Sequence, residues 1–127
     1  MNKLRRKGQP RDGLAERRAL EFEVLVHQVK KNKERLIKRL QGRLTTVGEC
    51  FVYNGGRDRA GGYPKISFRH NGRHVLIAAV RAFLILKTCA PIPLGFEAGH
   101  DCPRHDKGCV RHIALQHWST NASGAPF

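Results

Sequence analysis

Within Gly99–His112, "GHDCPRHDKGCVRH", stand three histidines and two cysteines. Thiolate and imidazole are the ligands zinc favours, and short loop spacings let one turn present two of them. Cys102 precedes Cys109 by six intervening residues, and His112 follows after two more, so this stretch offers three ligands. A tetrahedral site needs a fourth. Cys50, at the start of an apolar stretch, is the best distant candidate, while His105 and His117 are rival local ligands. Cys89 lies between "ILK" and "APIP", which predicts burial as a small hydrophobe. The same bland role is open to the other thiols. If zinc takes Cys102, Cys109 and His112, then His100 is left over at a predicted strand end. An imidazole, which titrates near neutrality, can take a proton from water. Asn121, beyond the next strand, can help ligate a hard cation such as Mg²⁺, which would stabilise charge on a phosphorane. Together these groups would suffice for phosphodiester hydrolysis.

The elements that must position these groups can be read around them. "FEAGH" predicts a strand ending at His100, and "RHIALQHW" predicts the strand after the Cys/His loop. Ser119 would cap a short closing helix that carries Asn121, with Gly124 and Pro126 ending it. Upstream, "CFVYNGG" reads as a strand and turn from Cys50, and "RDRAGG" as a loop. "YPKISFRHNGRHVLI" reads as two strands joined by Asn71-Gly72, a strong hairpin signal. Apolar residues from about Leu76 to Lys87 predict a buried helix, followed by the Pro-rich loop "CAPIPLG". At the other end, Phe22, Leu25, Val26, Val29, Leu36, Ile37 and Leu40 recur at threes and fours. They predict an amphipathic helix from Leu14 to about Gln41, with Gly42 as its stop. Met1–Gly13 is a basic arm rich in Gly and Pro. The expected organisation is therefore residues 1–46 as arm and helix, and residues 47–127 as the Cys/His-bearing domain.

Charge points to the partner. The 127 residues hold 24 Lys+Arg against 10 Asp+Glu, a formal charge of +14. Such an excess favours a polyanion, most simply DNA or RNA, over an acidic membrane surface. The stronger share is N-terminal: residues 1–46 hold 14 of the Lys+Arg and 5 of the Asp+Glu. Arg35, Lys38 and Arg39 on the helix, with Arg69 and Arg73 on the hairpin, are the candidate nucleic-acid contacts. No segment approaches the roughly 20 apolar residues of a membrane span. The longest run, Val75–Leu86, is broken by Arg81, and no apolar stretch of an export signal follows the basic start. Cysteines set among histidines fit metal binding in a reducing compartment better than disulfides. The expected location is intracellular: the cytoplasm, including a host cell's if the chain is phage-encoded.

From Gly48 to Asn121 the chain resembles the HNH, or His-Me finger, endonucleases, especially their zinc-containing His-Cys box branch. "GECFVYNGG", "GGYPKISFRHNGRH", "AAVRAF", "APIPLGFEAGHDC" and "CVRHIAL" follow one another in that family's order. The resemblance implies an α+β fold, a small zinc-stabilised ββα-metal domain of antiparallel hairpins behind the basic helix. It implies a structural zinc on Cys50, Cys102, Cys109 and His112, and a catalytic Mg²⁺ ligated by Asn121. It implies His100 as general base and Arg69 as a contact to the scissile phosphate, with 5′-phosphate and 3′-hydroxyl products. Several positions depart from the pattern. Val80 stands where the family often has histidine, Arg111 falls at its middle asparagine and Ala114 at its third histidine, and the Cys102–Cys109 loop is longer.

Three functions from different classes follow. The first is a metal-dependent DNA endonuclease of homing or phage type. The second is a zinc-stabilised nucleic-acid-binding or regulatory protein that has lost cleavage. The third is a basic protein that docks on a polymerase or ribonucleoprotein through the N-terminal helix. DNA is preferred to RNA only through the resemblance. A homodimer is compatible with homing-type enzymes, but no dimer face is legible.

Overall fold

A computed structural model describes residues 13–57, 62–100 and 107–117, and of His100 it describes the backbone only. Cys102, His105, Ser119 and Asn121 lie outside the described residues.

The helix α1, Leu14–Gln41, forms where the apolar periodicity predicts it. Glu16 in its first turn and Lys38 and Arg39 in its last suit the helix dipole. Gly42 closes it, with its N–H donating to the Lys38 carbonyl at 3.0 Å. The helix is not continuous. Asn32 takes an extended backbone, φ −166° and ψ 91°. Its Oδ1 then accepts the Arg35 N–H at 3.1 Å. That is an N-cap bond to the third residue of a new helix, so one asparagine ends the first segment and starts the second. The phase of the apolar stripe shifts accordingly. Leu25, Leu36 and Leu40 are buried as expected; Val24 joins them, while Ile37 is 41% exposed.

Next come β1, Leu44–Val47, and β2, Cys50–Tyr53, paired antiparallel from Leu44↔Tyr53 to Val47↔Cys50. The sequence pattern predicts no strand at β1. A second hairpin follows, β3, Lys65–His70, and β4, Arg73–Ala78, with His70 opposite Arg73 across the turn. Asn71 and Gly72 both have positive φ, 49° and 75°, the conformation a two-residue hairpin turn demands and for which Asn-Gly is suited. Ile66, Phe68 and His70 of β3 and Val75 and Ile77 of β4 alternate inward.

The buried helix α2 runs Ala79–Thr88, starting later than Leu76 because β4 needs residues to Ala78 to match β3. Its first N–H, on Ala79, donates to the Pro64 carbonyl at 2.8 Å. Cys89 caps it in the left-handed region, φ 55°, and is exposed. This corrects the expectation of burial: Cys89 sits at the helix end, at the edge of an apolar groove between α1 and α2, and stays accessible. A third hairpin joins β5, Phe96–His100, to β6, Ile113–His117, with His100 opposite Ile113.

The chain is therefore α+β, one long helix and a short one with three antiparallel hairpins. Val24, Leu25, Leu36 and Leu40 of α1 share one apolar cluster with Phe68, Ile77 and Leu84, so helix and hairpins have a common core. Phe68 is fully buried, worth roughly 1.5–3 kcal/mol against exposure. A carboxylate sits among these groups. Glu21 is 1% exposed and accepts two bonds from Arg81, at 3.1 and 2.9 Å, and lies 3.3 Å from Arg17. Beside it, burial and then the Arg81 charge lower the pKa of Arg18. Among the described residues no helix is long and apolar enough to cross a membrane.

Candidate metal centre

Cys50 opens β2, where the strand's alternation turns it inward, and it is fully buried. The loop that follows the undescribed residues 101–106 returns to that strand. The Tyr53 N–H donates to the Gly108 carbonyl at 2.9 Å, and the Val110 N–H to the Phe51 carbonyl at 2.8 Å. Cys109 thereby forms a bridge with Val52 and is also fully buried. His112, three residues on, folds back beside both thiols.

The resulting distances suit a tetrahedral ion. Cys109 Sγ lies 3.4 Å from His112 Nδ1, and Cys50 Sγ lies 3.9 Å from the same nitrogen. All three ligand atoms lie within 4.8 Å of one another. Zinc bonds of about 2.3 Å to sulfur and 2.0–2.1 Å to nitrogen place neighbouring ligands about 3.5–3.8 Å apart. Soft sulfur with imidazole is also the donor set zinc selects over hard cations. The residues present thus fit zinc in both distance and chemistry. Cys102, the fourth ligand that the resemblance implies, lies outside the described residues.

Of the two rival histidines, His105 lies outside the described residues, and His117 sits elsewhere. His117 is at the far end of β6, paired with Phe96 and edge-on to its ring at 5.3 Å.

Two features of this centre carry no prior sequence signal. Arg111 Nη1 donates to the Glu49 carbonyl at 2.9 Å, and its guanidinium stacks 5.0 Å over the Phe51 ring. It straps the Cys109 loop to the β1–β2 hairpin from outside. Nearby, a Cβ on Gly55 would stand 2.8 Å from the Lys65 carbonyl oxygen and 2.9 Å from the Tyr53 ring. Only glycine lets the chain leave β2 so close to β3.

The remaining candidates fall in two places. His100 ends β5, and its partner Ile113 is the immediate neighbour of His112. The backbone of His100 therefore lies across from the residue that follows His112. Asn121, the implied Mg²⁺ ligand, lies outside the described residues. Val80, where the resembling family often has histidine, is buried in the core. The basic candidates divide. Arg35, Arg39 and Arg69 line one cleft, together with Lys31 and Asn32, between the break in α1 and β3. Lys38 and Arg73 are exposed but do not line it. Gln28 Nε2 donates to the Arg69 carbonyl at 3.2 Å, which ties that part of β3 to α1.

No protein-family model matches the chain, and no curated protein or solved structure matches it.

Proposed function

We propose that the chain is a zinc-stapled, HNH-type endonuclease that hydrolyses phosphodiester bonds in DNA inside a cell. The observation that carries the reading is the convergence of Cys50, Cys109 and His112 beside the strand pair that ends in His100. A β-hairpin with a histidine at the end of its first strand and a soft-ligand cluster in its loop is the arrangement the sequence motifs imply. Zinc, when bound, would fix the loop, with Cys50, Cys109 and His112 holding it and Cys102 completing the set. Mg²⁺, when bound through Asn121, would supply charge stabilisation at the phosphate.

The chain's own residues carry the rest. His100 accepts a proton from water as the water oxygen bonds to phosphorus, and the bond from phosphorus to the 3′-oxygen breaks, that oxygen taking a proton from solvent. The ends left are a 5′-phosphate and a 3′-hydroxyl. Arg69 favours the charge that builds on the phosphate. The net charge of +14 draws the polyanion and makes its binding salt-dependent.

Two observations favour a second reading, a nucleic-acid-binding protein that no longer cuts. Val80 contributes to the core where a polar family position stood, and Arg111 straps the loop where an asparagine stood. One experiment separates the two. Supercoiled plasmid is incubated with the zinc-loaded chain and Mg²⁺. Nicking by the wild type that His100→Ala abolishes, with its melting curve unchanged, supports the endonuclease. Equal nicking by both proteins removes His100 as the base, and none by either while DNA is bound favours the second reading.

A further inference from the structure

The break in α1 creates a concavity with a marked electrostatic bias. The cleft at Asn32 encloses about 320 Å³. Lys31, Arg35 and Arg39 line it from the helix and Arg69 from β3, and no carboxylate is among its lining residues. Among the described residues, none of the ion pairs involves Lys31, Arg35 or Arg69. Four cations held in one concavity repel one another and focus a field that concentrates anions.

The arrangement is set in advance. Arg39 Nη2 donates to the Ser67 carbonyl at 2.5 Å, and its guanidinium lies 5.1 Å from the Phe68 ring centroid. Gln28 ties to the Arg69 carbonyl on the other side of the break. Both helical segments are thus fastened to β3, with Asn32 between them. Arginine forks match phosphate oxygens in paired hydrogen bonds, and lysine adds a point charge. The opposite face of the same helix offers a contrast. There Lys30 and Lys33 border an apolar groove floored by Val29, Leu36 and Leu86.

We infer that this cleft is a backbone-phosphate clamp for duplex DNA, in which Lys31 and Arg35 on α1 take a phosphate beside the Arg69 assigned above to the scissile one. The inference rests on the nucleic-acid reading above and adds where the backbone is gripped. Such a grip sets the position of the duplex and carries no base preference.

The test titrates the full chain, without added Mg²⁺, against a short fluorescein-labelled DNA duplex over a series of salt concentrations. Lys31→Ala and Arg35→Ala each weaken binding several-fold and make the log–log salt slope shallower, by about 0.9 for each phosphate left unneutralised. Lys30→Ala and Lys33→Ala leave affinity and slope nearly unchanged, and thermal melts verify that all four variants fold. Equal losses from the two faces, or no binding by the wild type, overturn the clamp. Plasmid nicking keeps the two readings apart. The cleft pattern in a chain that does not nick leaves the clamp standing and removes the endonuclease. Nicking together with normal binding by both cleft variants removes the clamp alone.

Discussion

The body made by α1, the β3–β4 hairpin and α2 is held by large apolar side chains, Phe68, Leu25, Ile66 and Ile77 among them, all but inaccessible to solvent. The loop at Cys109 is held quite differently. Its buried cluster is Cys50, Val52 and Cys109, with Val47 packed against it, and two of these are thiols. Such a cluster buries little area, and burial stabilises in proportion to area. The loop adds Val110 to the main core, and what sets it apart is a group of converging thiol and imidazole atoms with an arginine strap. The body folds by burial, and the loop would gain its rigidity from a metal held by those atoms.

The largest expected effect would break the comparison outright. Structural zinc in small finger peptides contributes an apparent ~10–16 kcal/mol, because the ligands have no preformed site without it. Chelation, or Cys109→Ala, should therefore abolish stoichiometric metal and remove hydrogen-exchange protection from β1, β2 and residues 107–112. The core amides of α1 and α2 should stay protected. Metal content by mass spectrometry and exchange by peptide mapping check both halves. If α1 loses protection together with the loop, the two regions are one cooperative unit and the distinction fails.

The second effect tests whether the body is purely apolar. Glu21 is buried under Arg81 and Arg17, and its removal leaves cationic groups with Arg18 close by. Breaking one side of a buried ion pair costs about 3–5 kcal/mol. Arg81 keeps 30% of its side chain in solvent, so the lower end, about 3 kcal/mol, is expected for Glu21→Ala. Denaturant unfolding measures it. A loss below about 1 kcal/mol, on the order of a surface pair, would mean that solvent reaches this cluster freely.

How much of the molecule is legible in its sequence follows from how local each determinant is. The span of α1 and the Asn71-Gly72 hairpin are readable, because periodicity and turn chemistry act within a few residues. Cys109 and His112 are readable as candidate ligands from spacing, and Cys50 from its place at a strand start; that the three side chains meet is the structure's addition. β1 is not, since the four residues Leu44–Val47 are too short to show alternation and depend on pairing with β2. Burial of Glu21 is hidden because its partner Arg81 stands 60 residues away. The strap at Arg111 is hidden for the same reason, since its acceptor is the backbone of Glu49, 62 residues earlier. The start of helix α2 is read too early because apolar content alone does not separate the end of β4 from the start of a buried helix.

The smallest expected effect concerns Asn32, where the sequence is least informative and the structure most specific. Lysines 30, 31 and 33 flank it, and the surrounding pattern reads as one helix. Yet its backbone is extended and its side chain caps the segment that follows. Loss of an N-cap costs about 1 kcal/mol, so Asn32→Ala should destabilise by that amount if the break is kept. Alanine also favours continuous helix, by up to roughly 0.7 kcal/mol over other ordinary residues. The two effects oppose one another, and the outcome shows which state α1 takes. Asn32→Asp retains the capping oxygen and should match the wild type in stability. It also places a carboxylate among Lys31, Arg35 and Arg69, so it should weaken duplex binding while the fold is unchanged. Should Asn32→Ala instead stabilise the chain, the helix has straightened, Arg35 and Arg39 have left the cleft, and binding should fall with it. Stability and affinity moving in opposite directions would then identify the break as a feature kept for binding and not for folding.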